Sequence, residues 1–409
     1  MILAETKDFS AFIETLKDKK SAETGLLIGS WISDKPHIYF QSRTPSLEIQ
    51  PQKGISALLS TPLTPPEALY SDWVLEHSNQ LSRLLPGGLD IIGLFMVSDE
   101  ELNLESFAFL PSGLLSLLND LSIEVLSRNS VLLMHFNSCS YKYTLKIVDL
   151  KVKLITAGDL KLVQLPKLEE IRCFLKVNLE AAGEGIPQLL IQDILKEWNV
   201  MLHSCIIFID KQLKSDQIIG NLKQGINAQD KGFHIAEIYS KNYGFCSNEQ
   251  LFRINIQGFI ESRVLVTQKM TIKEARDLII KDILFSMKDR LEIVSDEFTV
   301  EKNPFLAAPL PRKIQLPRRV FYSYNSCVLS SYISASQEEN IAQAYTEVIA
   351  SVKLTPVDSV ETLPKVETKH EENSNNSNKI DSNSEIFSYT IFGMMFMMLF
   401  ISFIVKAYY

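Results

Sequence analysis

Apolar residues along the chain occur in short unbroken runs and in longer periodic ones, and their alternation predicts a mixed α/β (α+β) body. Gly25-Leu26-Leu27-Ile28-Gly29 is a short apolar run between glycines that continues through Trp31, as in a strand buried on both faces. His37 to Gln41 predicts the second strand of a hairpin, with Ser33-Asp34-Lys35-Pro36 as its turn. Over residues 66–85, Trp73, His77 and Leu81 recur every fourth position with Leu84 three beyond, which predicts a helix stopped by Pro86-Gly87-Gly88. Leu89 to Val97 is nearly all apolar and predicts a central strand; residues 131–136 and 141–148 predict two more.

The second half repeats the alternation. Residues 171–179 and 203–210 predict strands around a helix at 187–199, and 251–267 carries strand patterning. In a helix at 271–292, Ile272, Ala275, Leu278, Ile279, Ile283, Met287 and Leu291 form one stripe, with charged residues elsewhere. A late strand is expected at 320–332 and a last helix at 337–351. These patterns divide the body into domains at 1–150 and 151–352.

From 353 to 385 the periodicity stops. The run EENSNNSNKIDSNS is low-complexity polar sequence that cannot bury enough surface to fold, so a disordered tether is expected. Residues 386–405 then read IFSYTIFGMMFMMLFISFIV, twenty without a charge. At about 1.5 Å per residue they span about 30 Å, the hydrocarbon thickness of a bilayer. This predicts one transmembrane helix against membrane lipid, with Ile386, Phe392, Met397, Phe400 and Val405 marking its length. Only four residues follow it, the arrangement of a tail anchor with a cytosolic amino-terminal body. Glu5 and Asp8 interrupt the start before any signal-peptide core appears.

Net charge is −8, and no long basic stretch suggests a nucleic-acid partner. The nearest, Pro311-Arg312-Lys313 and Pro317-Arg318-Arg319, read as solvated loop. Five scattered cysteines without a CxxC pair fit reduced thiols. No GK[ST] or GxGxxG pattern surrounds Gly87, Gly88 or Gly93, so no phosphate loop and no cofactor are expected.

Thr24-Gly25-Leu26-Leu27-Ile28-Gly29, Arg43-Thr44-Pro45, the Trp73-Val74-Leu75-Glu76-His77 helix and the Ser82-Arg83-Leu84-Leu85-Pro86-Gly87-Gly88 block together resemble the odorant response abnormal protein 4 family. The helix from Arg276 to Val294, the segment Leu316-Pro317-Arg318-Arg319-Val320-Phe321 and the terminal span add to the likeness. The resemblance implies a single-pass protein of the endoplasmic reticulum membrane that supports maturation and trafficking of a subset of G-protein-coupled receptors, including chemoreceptors. It also implies that the protein tethers there the cysteine protease that processes the ubiquitin-fold modifier. The order of elements in the amino-terminal half further resembles the MPN domain of Jab1-type isopeptidases, whose inactive members often act as heterodimer partners.

Active members of that fold need a His-x-His pair after the central strand and a glutamate three residues before the first glycine. Here the strand ends Phe95-Met96-Val97-Ser98-Asp99-Glu100, no histidine lies between His77 and His135, and Glu23 stands only two residues before Gly25. A one-residue shift turns a strand side chain to the opposite face. Zinc hydrolysis is therefore not expected. Asp99 with Glu100 reads as a helix cap, and His77 beside Glu76 as a packing or surface histidine. His203 and Cys205, i and i+2 on an expected strand, could touch, but the cysteine reads as a buried apolar residue. The expectation is a non-catalytic membrane adaptor; the alternatives are a hydrolase with an unrecognised site, or a chaperone that contacts receptor transmembrane helices through Met394, Met395, Met397 and Met398.

Overall fold

The unbroken apolar runs become the middle of an eight-stranded sheet. In the computed structural model β1 (Ile2–Glu5) leads into α1 (Thr6–Lys17), and β2 (Glu23–Ile32) and β3 (Lys35–Arg43) form the hairpin. Helix α2 (Asp72–Leu84) precedes β4 (Asp90–Ser98), followed by β5 (Ser130–Asn137), β6 (Lys142–Asp149), β7 (Leu154–Ala157) and β8 (Leu160–Val163). The strand order is β7-β6-β5-β4-β2-β3-β1-β8. Side chains alternate between faces with period two, so Leu26 and Ile28 enter one core and Leu27 the other. The hairpin turns on Ser33 and Asp34, both at positive φ (49° and 60°), the backbone of a two-residue turn matched to strand twist. The order on which the MPN likeness rests, glycine-flanked strand, hairpin, helix stopped at Pro-Gly and central strand, is that of β2, β3, α2 and β4.

The structure describes residues 1–17, 23–45, 72–99, 114, 117–118, 128–182, 187–222, 233–239, 253–300, 312–325, 327–334, 338–355 and 357–361. The expected span, with Ile386, Phe392, Met397, Phe400 and Val405, lies outside them. Among the described residues no helix is long and apolar enough to cross a membrane.

A second sheet, ordered β10-β11-β9-β12-β13, is built from β9 (Glu169–Ala182), β10 (Ile206–Ile209), β11 (His234–Tyr239), β12 (Arg253–Val266) and β13 (Arg312–Gln315). Helices α3 (Pro187–Ser204) and α4 (Ile272–Val300) pack on it. The expected stripe of α4 is its sheet face: Ile272, Ala275, Ile279, Ile283, Met287 and Leu291 share a buried cluster with Ile256, Ile260 and Val264. A third sheet, β15-β14-β16, contains β14 (Arg318–Tyr324), β15 (Cys327–Ile333) and β16 (Val357–Val360), with α5 (Glu339–Ala350) between the last two in sequence.

Four expectations need correction. Residue 150 is not a boundary, because β7 and β8 continue the first sheet and β8 pairs with β1 from Ile2↔Leu160. The late strand at 320–332 is a hairpin that turns at Asn325, where φ is 50°. His203 closes α3 rather than starting a strand, so it does not share a strand face with Cys205. The tether does not begin at 353: β16 pairs with β14 through Val320↔Val360 and Phe321↔Ser359, and Met1–Leu363 forms one compact unit.

The second sheet carries its own polar clasp. His234, at the start of β11, lies between two carboxylates, with Nδ1 2.6 Å from Asp210 Oδ2 and Nε2 3.0 Å from Glu169 Oε2. Carboxylates only accept, so both ring nitrogens donate and the ring is a cation. The Asp210 hydrogen bond outweighs burial and raises the His234 pKa above its ordinary value. A group whose folded pKa exceeds its unfolded one stabilises fully below the unfolded value and ceases to do so as pH rises through the folded one. The stability of the 1–363 body should therefore decline from about pH 6.5 upward through this clasp. His234→Gln should flatten that slope in urea unfolding measured across pH; an unchanged slope would dismiss the clasp as its cause.

Candidate functional site

Three segments on which the family resemblance rests meet in the fold. The turn after α2 is the first. Its Gly87 makes a one-residue bridge with Val264 of β12: Gly87 N donates to Arg263 O at 3.2 Å, and Leu265 N to Gly87 O at 2.8 Å. Gly88 has φ of +91°, and a Cβ there would stand 2.0 Å from Leu265 O. Only glycine gives both that backbone and that approach. The turn of the first sheet thus docks on the backbone of the second.

Helix α4 supplies the second segment and β14 the third. Beyond its sheet stripe, α4 carries Asp282, Ser286, Asp289 and Arg290 on another side, all buried. Asp282 faces Arg319 of β14, whose Nη1 lies 3.1 and 3.2 Å from the two carboxylate oxygens. The same carboxylate accepts from Gly87 N at 3.0 Å and from Ser262 Oγ at 2.7 Å. Arg319 also donates from Nε to Ser330 Oγ at 2.8 Å and from Nη2 to Leu85 O at 3.4 Å. Burial opposes its charge, and Asp282 with Tyr332 and Glu361 outweighs that, so its pKa stands above the ordinary arginine value.

About two turns further along α4, Arg290 makes a two-pronged contact with Glu361, 2.7 and 2.8 Å, and donates to Pro317 O at 2.7 Å and Phe259 O at 3.0 Å. Glu361 in turn accepts from the backbone amides of Glu261 and Arg319. Arg263 adds a third buried guanidinium, donating from Nε to Glu261 Oε1 at 2.7 Å and lying 3.8 Å from the Phe321 ring. Arg319, expected in a solvated loop, is thus in the core; its neighbour Arg318 is exposed.

Where the three segments meet, a cleft of about 230 Å³ opens to solvent, lined by Arg83, Pro86, Gly87, Lys281, Asp282, Phe285, Asp289, Arg319 and Tyr332. A shallower groove of about 390 Å³ runs beside it between α3 and α4, past Leu195, His203, Ile280 and Leu284. The cleft holds the more unusual chemistry. Asp289 is 2% exposed, its Oδ1 stands 3.7 Å from Arg83 Nε, and its Oδ2 has no hydrogen-bond partner among the described residues.

The remaining motif residues act in packing. Trp73 Nε1 donates to Pro45 O at 2.7 Å. His77 is fully buried; Nε2 donates to Ile349 O at 2.8 Å, and Nδ1 lies 3.2 Å from Thr44 Oγ1. Burial lowers its pKa and keeps the ring neutral. Arg43 Nη2 donates to Thr15 Oγ1 at 2.5 Å, tying β3 to α1. At Gly25 and Gly29 a Cβ would meet the carbonyls of Ser42 and His37 at 2.3 and 1.9 Å, so these glycines permit the close β2–β3 approach.

Of the groups weighed as chemistry, the Cys205 thiol donates to Met201 O at 3.2 Å, and His203 is exposed at the end of α3. Asp99 is exposed and Glu100 lies outside the described residues. Among the described residues no group of three or more His, Cys, Asp or Glu side chains could hold a metal ion. Asp282, Asp289, Arg290 and Glu361 were not singled out from the sequence. The available signal in α4 was that the short polar residues Asp282, Ser286 and Asp289 recur at spacings of four and three.

The profile of the ODR4-like family, odorant response abnormal 4-like, matches residues 25–360. An odr-4 homolog from Xenopus laevis is 23% identical over 345 residues, covering 75% of this chain and 74% of the relative. One from Mus musculus is 24% identical over 327 residues, covering 73% and 70%. One from Homo sapiens is 37% identical over 83 residues, 20% of this chain and 17% of the relative. Among solved structures, UfSP from C. elegans superposes with a TM-score of 0.44 at 8% identity, covering 86% of this chain and 56% of that one. A likeness that loose bears on neither fold nor function.

Two outcomes follow from the buried pairs. Removing one partner leaves an uncompensated buried charge and costs about 3–5 kcal/mol. Arg319→Met should destabilise the body by that amount, and adding Asp282→Leu should restore part of it, in urea unfolding; a loss under about 1 kcal/mol would mean the pair is not buried as described. A fragment ending at 352 lacks β16 and Glu361 and should unfold at markedly lower urea than one ending at 363; equal midpoints would contradict the role of Glu361.

Proposed function

The chain belongs to the odorant response abnormal 4-like family, and on that premise we propose that it is a non-catalytic, single-pass adaptor of the endoplasmic reticulum membrane. In this reading it supports maturation and delivery of a subset of G-protein-coupled receptors and holds the cysteine protease that processes the ubiquitin-fold modifier at the same membrane. The observation that carries the reading is the family match across residues 25–360. The uncharged run at 386–405 supports the anchor.

The interior supports the non-catalytic part. Several side chains that could react are engaged in structural bonds: His77 holds the end of α5, Cys205 the end of α3, and Arg319, Arg290 and Arg263 hold sheets together. Such an interior gives a rigid body suited to presenting surfaces.

The test uses the body ending at 363, which retains Glu361, and the full chain with its span exchanged for an unrelated tail anchor. The body should recover the protease from cytosol in near-equal amount, and the exchanged chain should still deliver receptors. Failure of recovery would remove the protease-anchoring role. Loss of delivery at an unchanged membrane location would move the receptor contact into the span, where the adaptable side chains of Met394, Met395, Met397 and Met398 would serve it.

A further inference from the structure

We propose that the cleft between the Pro86-Gly87-Gly88 turn and α4 is a receiving site for a cationic side chain, an arginine, of a partner polypeptide, with the unpartnered Oδ2 of Asp289 as its acceptor. Asp289 is 98% buried by residue surface and lines the cleft, and its Oδ2, itself shielded from solvent, has no hydrogen-bond partner among the described residues. A buried carboxylate oxygen left without a donor carries a desolvation penalty that nothing offsets, so keeping one there opposes stability. Its neighbour Asp282 shows the contrast: both of its oxygens are bonded several times over.

The charges around the cleft select the ligand. Arg83 and Lys281 at the rim already face carboxylates, Arg83 at 2.8 Å from Glu292 and Lys281 at 3.5 Å from Asp90. Arg319 at the floor is bonded to Asp282. The unmet valence is therefore an anion's, which rules against a phosphate or carboxylate guest. One oxygen is too few for a divalent cation, which takes six or more oxygen ligands when it is calcium and an octahedral set when it is magnesium. The volume of about 230 Å³ is below the range of about 300–1,000 Å³ usual for small-molecule pockets and suits one side chain. Phe285 at the lip is 37% exposed and offers a ring face for a planar guanidinium.

The titratable groups described around Asp289 include Tyr332 of β15 as well as four charged side chains. Arg83 of α2, Arg319 of β14 and Lys288 of α4 lower its pKa, Glu292 of α4 raises it, and burial exceeds them all, pushing it up to about 7. A guanidinium guest would favour the ionised form, so binding should release a proton and weaken as the carboxyl protonates. Between pH 8 and pH 6 the ionised fraction of a group titrating near 7 falls about tenfold.

The inference extends the adaptor reading and rests on it for the partner's being a polypeptide, but its test does not use receptor delivery or the protease. Full-length chain in detergent is titrated calorimetrically with acetyl-Gly-Arg-Gly-amide and with the same peptide carrying neutral, nearly isosteric citrulline. Expected are saturable binding of the arginine peptide at pH 8, about tenfold weaker binding at pH 6, and no saturable binding of the citrulline peptide. Asp289→Asn should weaken arginine binding at least tenfold while melting no lower than the parent at pH 8, since burial of that charge outweighs its one long ion pair, to Arg83 at 3.7 Å. The proposal is overturned by equal binding of both peptides, by equal affinity in Asp289→Asn, or by no saturable binding of the arginine peptide to the unaltered chain. The peptide comparison on the unaltered chain decides even if the variant fails to fold. Lost peptide binding with intact receptor delivery would sink this inference alone.

Discussion

The arrangement of the three sheets depends on one buried contact, Arg319 against Asp282. Its carboxylate is shared: Arg319 comes from the third sheet, Gly87 N from the turn that ends α2, Ser262 from the second sheet, and Asp282 itself from α4. Each of those groups would carry a desolvation penalty if the others were displaced. A purely apolar joint of the same volume could be equally stable, because desolvating two charges offsets much of their attraction. It would not fix direction. Hydrogen bonds to one carboxylate from three other elements allow one rotation and one register of the joint, whereas apolar surfaces slide.

That joint explains why α4 is buried on two sides and keeps only a narrow exposed line through Asp277, Lys281 and Lys288. One side packs its aliphatic stripe on the second sheet; another presents Asp282, Ser286, Asp289 and Arg290 to α2 and the third sheet. The contacts are distant in sequence, 195 positions for Gly87 to Asp282 and 71 for Arg290 to Glu361. Closing loops of that size is entropically costly before the contacts form. The network closes only when the chain has been made as far as Glu361, so no shorter piece carries the complete joint.

Much of the fold was legible and the joint was not, for one reason. Strands buried on both faces give unbroken apolar runs, and β2, β4 and β5 were readable because Leu26 to Ile28, Ile91 to Val97 and Val131 to Phe136 have no other plausible state. The stripe of α4 was readable by its period. Short pieces such as β1, β11 and β16 lack enough residues to show a period, and tertiary pairing decides them. Pattern reading assigns charge to solvent, so Arg319 became a loop residue and α4's polar side a wet face. Burial of an arginine depends on a carboxylate 37 positions away, and no local window contains that information.

The same logic separates what the motif residues do from what they resemble. Trp73, His77, Arg43, Gly25, Gly29, Gly87 and Gly88 all hold backbone in place: a ring N–H on the Pro45 carbonyl, a neutral imidazole on the end of α5, glycines where a Cβ would collide with a carbonyl. A signature made of such residues identifies an architecture rather than a reaction. It also limits how the body can work. The turn at Gly87 is bonded to β12, and β12 shares Asp282 with β14, so the sheets cannot hinge against each other without exposing charge. Surfaces contributed by different sheets therefore keep fixed spacing, and two partners bound on them are held at a distance set by the core. A protein that works by bringing others together at one place gains more from that rigidity than from a group able to react.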